Sequence, residues 1–166
     1  FLPALQNTFT LLFSVMLVTV VLGTALGLLI NEAFPGRAIV RVLLISPFLV
    51  MPAVNALMWK NMLLNPIYGL FAQISIFFGA TPVDWLSAHP LFSIIMMVSW
   101  QWLPFACLIF MTALQSMDRE QLEAARMDGA TYLQQLRYLY IPHLGRAVSV
   151  VLMIEMIFLL SIFAEI

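Results

Sequence analysis

Charge is what this sequence has least of. Only 9% of its 166 residues are Asp, Glu, Lys or Arg, against roughly 25% in an ordinary soluble domain. So few charges cannot cover the surface of a water-soluble fold. Cysteine is nearly absent too. Cys107 stands alone inside an apolar run, which excludes a disulfide framework or a cysteine metal site, and without a basic neighbour its thiol is expected to be inert. The single lysine, Lys60, follows Trp59, so the G-x-x-x-x-G-K-[ST] loop that cradles nucleotide phosphates is excluded. No H-E-x-x-H zinc motif occurs; His89 and His143 lie far apart and read as interfacial or capping residues. A net charge of −1 offers no basic surface to nucleic acid. No basic n-region is present, so no signal peptide is expected. The chain opens on Phe1 and stops at Ile166 in an apolar run, as an internal piece of a longer polypeptide would.

What is abundant is apolar. Hydrophobic residues make up 63% of the chain, mean hydropathy is +1.03, and long apolar runs point to a membrane protein. The runs predict four spans: Phe9 to Ile30, Val42 to Trp59, Leu91 to Leu114, and Leu144 to the end. Each approaches the ~20 residues a helix needs to cross the bilayer core. Pro47 and Pro52 in the second span and Pro104 in the third predict kinks rather than loops. The fold class is therefore all-α, a polytopic helical bundle in the lipid bilayer.

Orientation follows from the basic residues. Arg37 and Arg41 lie between the first two spans, and Arg119, Arg126, Arg137 and Arg146 between the last two; Lys60 alone lies in the other connection. The positive-inside rule then makes segments 31–41 and 116–143 cytoplasmic and 60–90 external. The external connection holds the turn formers Asn65-Pro66 and Gly69, then "LFAQISIFFGA", expected along the membrane surface. Trp59, Tyr68 and Trp85 fall where an interfacial aromatic belt belongs.

One cytoplasmic stretch, "QLEAARMDGATYLQQLRYLYIP" from Gln121 to Pro142, breaks the apolar pattern. Asp118 predicts a helix N-cap, with Gln121 three residues on. Arg119/Glu123 and Glu123/Arg126 stand at helical neighbour spacings. Gly129 is a natural stop, and Thr131-x-x-Gln134 predicts a capping box opening a second helix. Pro142 ends that helix or opens the next, biasing Ile141 away from helical angles. The stripe Leu122, Ala125, Gly129, Leu133, Leu136 and Tyr140 either packs on the protein's own helices or docks elsewhere, and the charged face of Glu120, Glu123 and Arg126 suits a solvated surface equally well.

Here a resemblance enters. Glu123-Ala124-Ala125, Asp128-Gly129-Ala130 and Ile141-Pro142 resemble the E-A-A-x-x-D-G-A signature, with its terminal I-x-L-P element, of binding-protein-dependent ABC importer permeases. Here that element reads "LYIP", with the proline in register. "NPIYGL", "WQWLPFACLIFMTALQSMDRE" and "IFAEI" are similar to passages of the maltose/glycerol-phosphate-type subfamily. The resemblance implies a partial transmembrane domain of the type I importer kind over residues 1–166, four spans of a six-helix core, with a coupling segment at 118–142. It implies a transport subunit, not an enzyme, in a bacterial-type inner membrane. On this resemblance the chain itself would bind no cofactor, and ATP and magnesium would belong to a partner ATPase dimer. Further implied partners are a second, usually different, permease chain and an extracytoplasmic solute-binding protein. Glu123, Ala124, Ala125, Arg126, Asp128, Gly129 and Ala130 would dock into the ATPase, the small residues allowing close approach and the charges bonding across the contact. The implied cargo is a small polyhydroxylated solute, a sugar or polyol.

Polar groups inside spans by default mark a pathway. Glu155 lies about 16 Å in from the cytoplasmic edge and Gln101 about 15 Å in from the outer one, at ~1.5 Å per residue. With Asn55 further out and Trp100 and Trp102 flanking Gln101, they are the pathway candidates; alternatively Gln101, Glu155 and Asn55 bond neighbouring helices. Glu165, about 31 Å along, would serve an outer gate. The alternatives are a permease for another small solute, a membrane-embedded enzyme, for which Glu155 and Glu165 are not an aligned pair, and a channel, which has no use for a coupling segment.

Overall fold

The computed structural model describes residues 2–31 and 34–161, and these are helical throughout their ordered elements. Helix α1 spans Leu2–Asn31 and α6 spans Pro90–Gln115. The two pack against each other more extensively than any other pair. The reason is on α1: Thr19, Gly23 and Gly27 recur every four residues and are buried. A Cβ at Gly23 would come within 3.0 Å of the Ala106 Cβ, and one at Gly27 within 3.4 Å of the Phe110 Cβ. Without a hydrophobic drive between helices in lipid, small residues that let backbones approach supply the contact. Pro104 is buried in α6, which runs through it without a break. α1 begins well before Phe9, the expected start of the first span.

The second span is not one kinked helix. Helix α2 (Arg37–Ile45) passes into a 3₁₀ turn (Ser46–Leu49), and α3 (Pro52–Met58) restarts the chain, followed by a wide π turn (Trp59–Leu63). The halves are bent by 102°. Val50 (ψ 130°) and Met51 (ψ 140°) are extended, because the residue before Pro52 is pushed out of the helical region and Pro52 then serves as a helix start, where its missing N–H costs nothing. Among the described residues three helices, Leu2–Asn31, Pro90–Gln115 and Tyr132–Leu159, are long and apolar enough to cross a membrane, and the bent pair makes a fourth if it is one span.

Beyond the break, Asn65 Oδ1 accepts from the amides of Ile67 and Tyr68 at 2.9 and 3.2 Å, and the Gly69 amide donates to the Asn65 carbonyl. A side chain at Gly69 would collide with that carbonyl. The apolar stretch that follows forms α4 (Leu70–Phe77), with Phe77 and Phe78 exposed. Asp84 caps the short α5 (Trp85–Ala88), and the Ser87 hydroxyl, 2.7 Å away, holds its carboxyl below the ordinary value. Trp59 corrects the belt expectation: it is buried, edge-on to Trp100 at 6.0 Å and packed with Leu64 and Met97. Tyr68 is exposed and Trp85 half-buried.

After α6 come α7 (Arg119–Met127), α8 (Tyr132–Gln135), a π turn (Leu136–Tyr140) and α9 (Ile141–Leu159). The last three run on as a single helix, so the helix that carries the fourth span begins well before Leu144. Pro142 opens α9 without a break, and Ile141 keeps helical angles (φ −62°, ψ −47°). The π turn makes this tolerable: the Ile141 amide reaches back to the Leu136 carbonyl, a widened turn absorbing the donor that proline lacks. Ala106, Phe110, Leu114, Tyr140, Leu144 and Val151 form the core between α6 and α9.

Candidate functional site

The polar segment builds a rigid corner. The Asp118 carboxylate accepts from the Glu120 amide at 3.0 Å, capping α7. At the other end Gly129 takes φ +78°. The Ala130 amide donates to the Ala125 carbonyl at 2.9 Å and the Gly129 amide to that of Arg126 at 3.1 Å, the paired bonds of a Schellman motif. Thr131 then caps α8 reciprocally: its amide donates to Gln134 Oε1 at 2.7 Å and its hydroxyl accepts from the Gln134 amide. Gln135, buried, donates from Nε2 to the Ala130 carbonyl at 2.9 Å. These bonds hold both ends of the turn between α7 and α8.

This corner faces outward. Glu123, Ala124, Arg126, Asp128 and Gly129 are exposed, with Ala125 and Ala130 half-buried. Met127 is 89% and Leu133 73% exposed. Nothing lies within 4 Å of where a Gly129 side chain would begin. Leu122 and Leu136 pack on the α6–α9 core and Tyr140 is buried in it. The periodic stripe therefore divides: its ends belong to the bundle, and Gly129 and Leu133 do not. Met127 and Gln135 were not singled out by sequence. Met127 sits inside the signature as one of its variable positions, and Gln135 gives no periodic signal because it bonds backbone rather than packing.

The intramembrane candidates separate into two groups. Asn55 and Gln101 are brought together: Asn55 Nδ2 donates to Gln101 Oε1 at 2.8 Å and to the Met97 carbonyl at 3.3 Å. Gln101 Nε2 in turn donates to the Val50 carbonyl at 2.8 Å, at the break in the second span. Asn55 Oδ1 is buried without a partner among the described residues. Glu155, on α9, is elsewhere, fully buried against α1, where its Oε2 accepts from the Thr19 hydroxyl at 2.8 Å and Oε1 has no partner among the described residues. Trp100 packs beside Trp59, and Trp102 sits edge-on to Phe48 and Phe105 and tilted against Phe158. Glu165 lies outside the described residues. Thr19 was missed by sequence reading, although its four-residue spacing to Gly23 and Gly27 was visible.

Known proteins share both the sequence and this architecture. Residues 4–166 match the family described as binding-protein-dependent transport system inner membrane component. A probable ABC transporter permease protein, y4oQ, of Sinorhizobium fredii is 40% identical over 138 residues, covering 81% of this chain and 44% of that protein. The trehalose/maltose transport system permease protein MalF of Thermococcus litoralis is 31% identical over 145 residues, covering 86% and 49%. The chain thus spans about half the length of these relatives, which are transport components rather than enzymes. The crystal structure of a bacterial ABC transporter involved in the import of the acidic polysaccharide alginate superposes with a TM-score of 0.82 at 25% identity, over 98% of this chain and 58% of that one. With three to four apolar helices in that arrangement, and a family match from residue 4 to residue 166, the chain belongs to the binding-protein-dependent transport system inner membrane components.

Proposed function

We propose that this chain is the core of a permease subunit in an ATP-driven importer of a sugar, polyol or related polyhydroxylated solute. The observation that carries the coupling role is the exposed α7 corner. A short helix, anchored to the bundle through Leu122, presents Glu123, Ala124, Arg126, Asp128 and Gly129 outward and is joined to a membrane-entering helix through capped, hydrogen-bonded turns. A separate ATPase subunit, holding the nucleotide and its magnesium, docks on that corner, and closure of the ATPase dimer is passed to α9. The cytoplasmic placement of 116–143 rests on the basic residues. The solute class is supported by relatives named for trehalose/maltose, xylose/arabinose and glycerol 3-phosphate transport. Partnership with a solute-binding protein is supported by a similar fold solved with its periplasmic protein carrying an alginate pentasaccharide.

Asn55, Gln101, Trp100, Trp102 and Glu155 are the pathway candidates, with Glu165 at an outer gate. The helix break at Val50–Met51, with two amide side chains beside it, favours the Asn55–Gln101 side, because interrupted helices offer main-chain groups to a substrate.

The test is reconstitution of the complete complex in proteoliposomes, with uptake and ATPase activity measured together. The proposal requires solute-dependent uptake and ATPase stimulation by the loaded binding protein, both lost with Gly129→Val. Normal uptake and stimulation in that variant would sink it.

A further inference from the structure

A cavity of about 450 Å³ opens between the C-terminal end of α6 and the start of α9, lined by Ala113, Ser116, Pro142, His143, Arg146 and Ala147. Its lining includes no residue of α7 or of the Asn55–Gln101 cluster. His143 Nε2 is 2.9 Å from the Ala113 carbonyl oxygen and 3.3 Å from Ser116 Oγ. A carbonyl only accepts, so Nε2 carries a proton and the ring is held as one wall. The Ser116 hydroxyl donates to the same carbonyl at 2.7 Å. Arg146 follows three residues after His143 on the same helix face. Its guanidinium has no carboxylate or hydrogen-bonding partner among the described residues.

Arg146 also heads an apolar stripe. Val150, Met153 and Ile157 follow at four, seven and eleven residues, one line along α9, and are 46%, 67% and 67% exposed. A cation at the membrane edge with an uncovered apolar strip running inward from it matches one kind of molecule: an anionic headgroup carrying acyl chains. A free anion would use the cavity and leave the stripe without a role. Basic pockets between spans on the cytoplasmic side are where such headgroups bind, and the planar guanidinium fits a phosphate with two donors at once.

We propose that this cavity is a headgroup site for an anionic phospholipid of the cytoplasmic leaflet, its phosphate on Arg146 and an acyl chain along Val150, Met153 and Ile157. The leaflet, though not the binding, rests on the orientation adopted under the proposed function. The site ties α6 to α9 from outside, beside the turn that leads to α7.

The complete permease complex is purified and examined by native mass spectrometry with added phosphatidylglycerol, phosphatidylcholine of the same chains, or inorganic phosphate. Phosphatidylglycerol should be retained over phosphatidylcholine, and Arg146→Gln should weaken that retention about tenfold, the loss of one charged hydrogen-bonded contact. Arg146→Lys should keep most of it, and Arg137→Gln, on an exposed arginine beside Tyr138, should change nothing. Equal retention by wild type and Arg146→Gln overturns the site. So does an equal loss in Arg137→Gln, which marks diffuse attraction, or competition by inorganic phosphate, which marks a soluble-anion site. A photocrosslinker at Met153 should capture lipid; capture of the second permease chain overturns the stripe. Cysteine labelling from the two sides reads orientation separately: an inverted pattern overturns the leaflet while phosphatidylglycerol retention still reports the site.

Discussion

The amide of Gln101 donates to the main-chain carbonyl of Val50 across 2.8 Å. That carbonyl lies where the second span breaks, beside the prolines that interrupt its ladder. The same side chain accepts from Asn55, so one glutamine ties both sides of the break to α6. Gln101→Leu keeps the bulk and removes both partners. It should destabilise the assembled complex by about 1–2 kcal/mol, the cost of unsatisfied buried groups moderated by what membrane bundles show. The check is the thermal midpoint of the purified complex in detergent, beside its uptake kinetics. An unchanged midpoint with lost uptake would instead favour direct contact with solute.

Gly129 sits at φ +78° with open space around it, so the penalty for a side chain there is conformational, not steric. Left-handed angles cost an ordinary residue about 1–2 kcal/mol, and asparagine much less. Gly129→Asn should therefore retain most substrate-stimulated ATPase activity and Gly129→Val little. Similar activities for the two would remove the cap from the account and leave only contact with the partner.

Glu155 and Thr19 make a graded pair. Thr19→Val leaves both carboxylate oxygens of Glu155 unpartnered, since Oε1 already lacks one. Glu155→Gln keeps an acceptor for the Thr19 hydroxyl. Yield of assembled complex should fall more for Thr19→Val than for Glu155→Gln, by about 1–2 kcal/mol of stability. The reverse order would mean that the charge of Glu155, rather than the bond, is what matters.

Gly23 approaches α6 closely enough that its replacement can be rescued. Gly23→Ala brings a methyl to 3.0 Å from the Ala106 Cβ and should lower stability by about 1–3 kcal/mol, as overpacking does. Adding Ala106→Gly removes the opposing methyl and should recover a good part of the loss. No recovery in the double variant would place the strain elsewhere along α1.

Orientation is read with single cysteines in a Cys107→Ala background. Gln135 is a poor reporter because it is buried against Ala130; Leu133, 73% exposed, is a good one. An impermeant thiol reagent outside whole cells should label Ala88→Cys and spare Leu133→Cys. The opposite pattern would invert the topology and end the coupling argument.

The third span was legible almost to the residue, because an unbroken apolar run bounded by Pro90 and Ser116 leaves little choice. The corner after it was legible for a different reason: Asp118, Gly129 and Thr131-x-x-Gln134 act over three or four residues, so their chemistry is local. The second span was not. Prolines at 47 and 52 predict kinks, whereas the chain breaks between them, and what captures the freed carbonyl is a side chain 51 residues away. Trp59 failed similarly, because the ring buries against Trp100, a partner no local pattern announces. The Thr19–Glu155 bond spans 136 residues; only the small-residue spacing around Thr19 could have suggested which face of α1 to inspect.

The uninterrupted run from Tyr132 to Leu159 has a mechanical consequence. Its 28 residues make a rod about 42 Å long at ~1.5 Å per residue. Pivoted near the capping box, a tilt of about 10° carries the far end about 7 Å, larger than the diameter of a water molecule and comparable to a sugar ring. A small rocking of the corner would therefore be amplified into a larger displacement at the far end, with Pro142 and the wide turn before it as a place where the rod could flex.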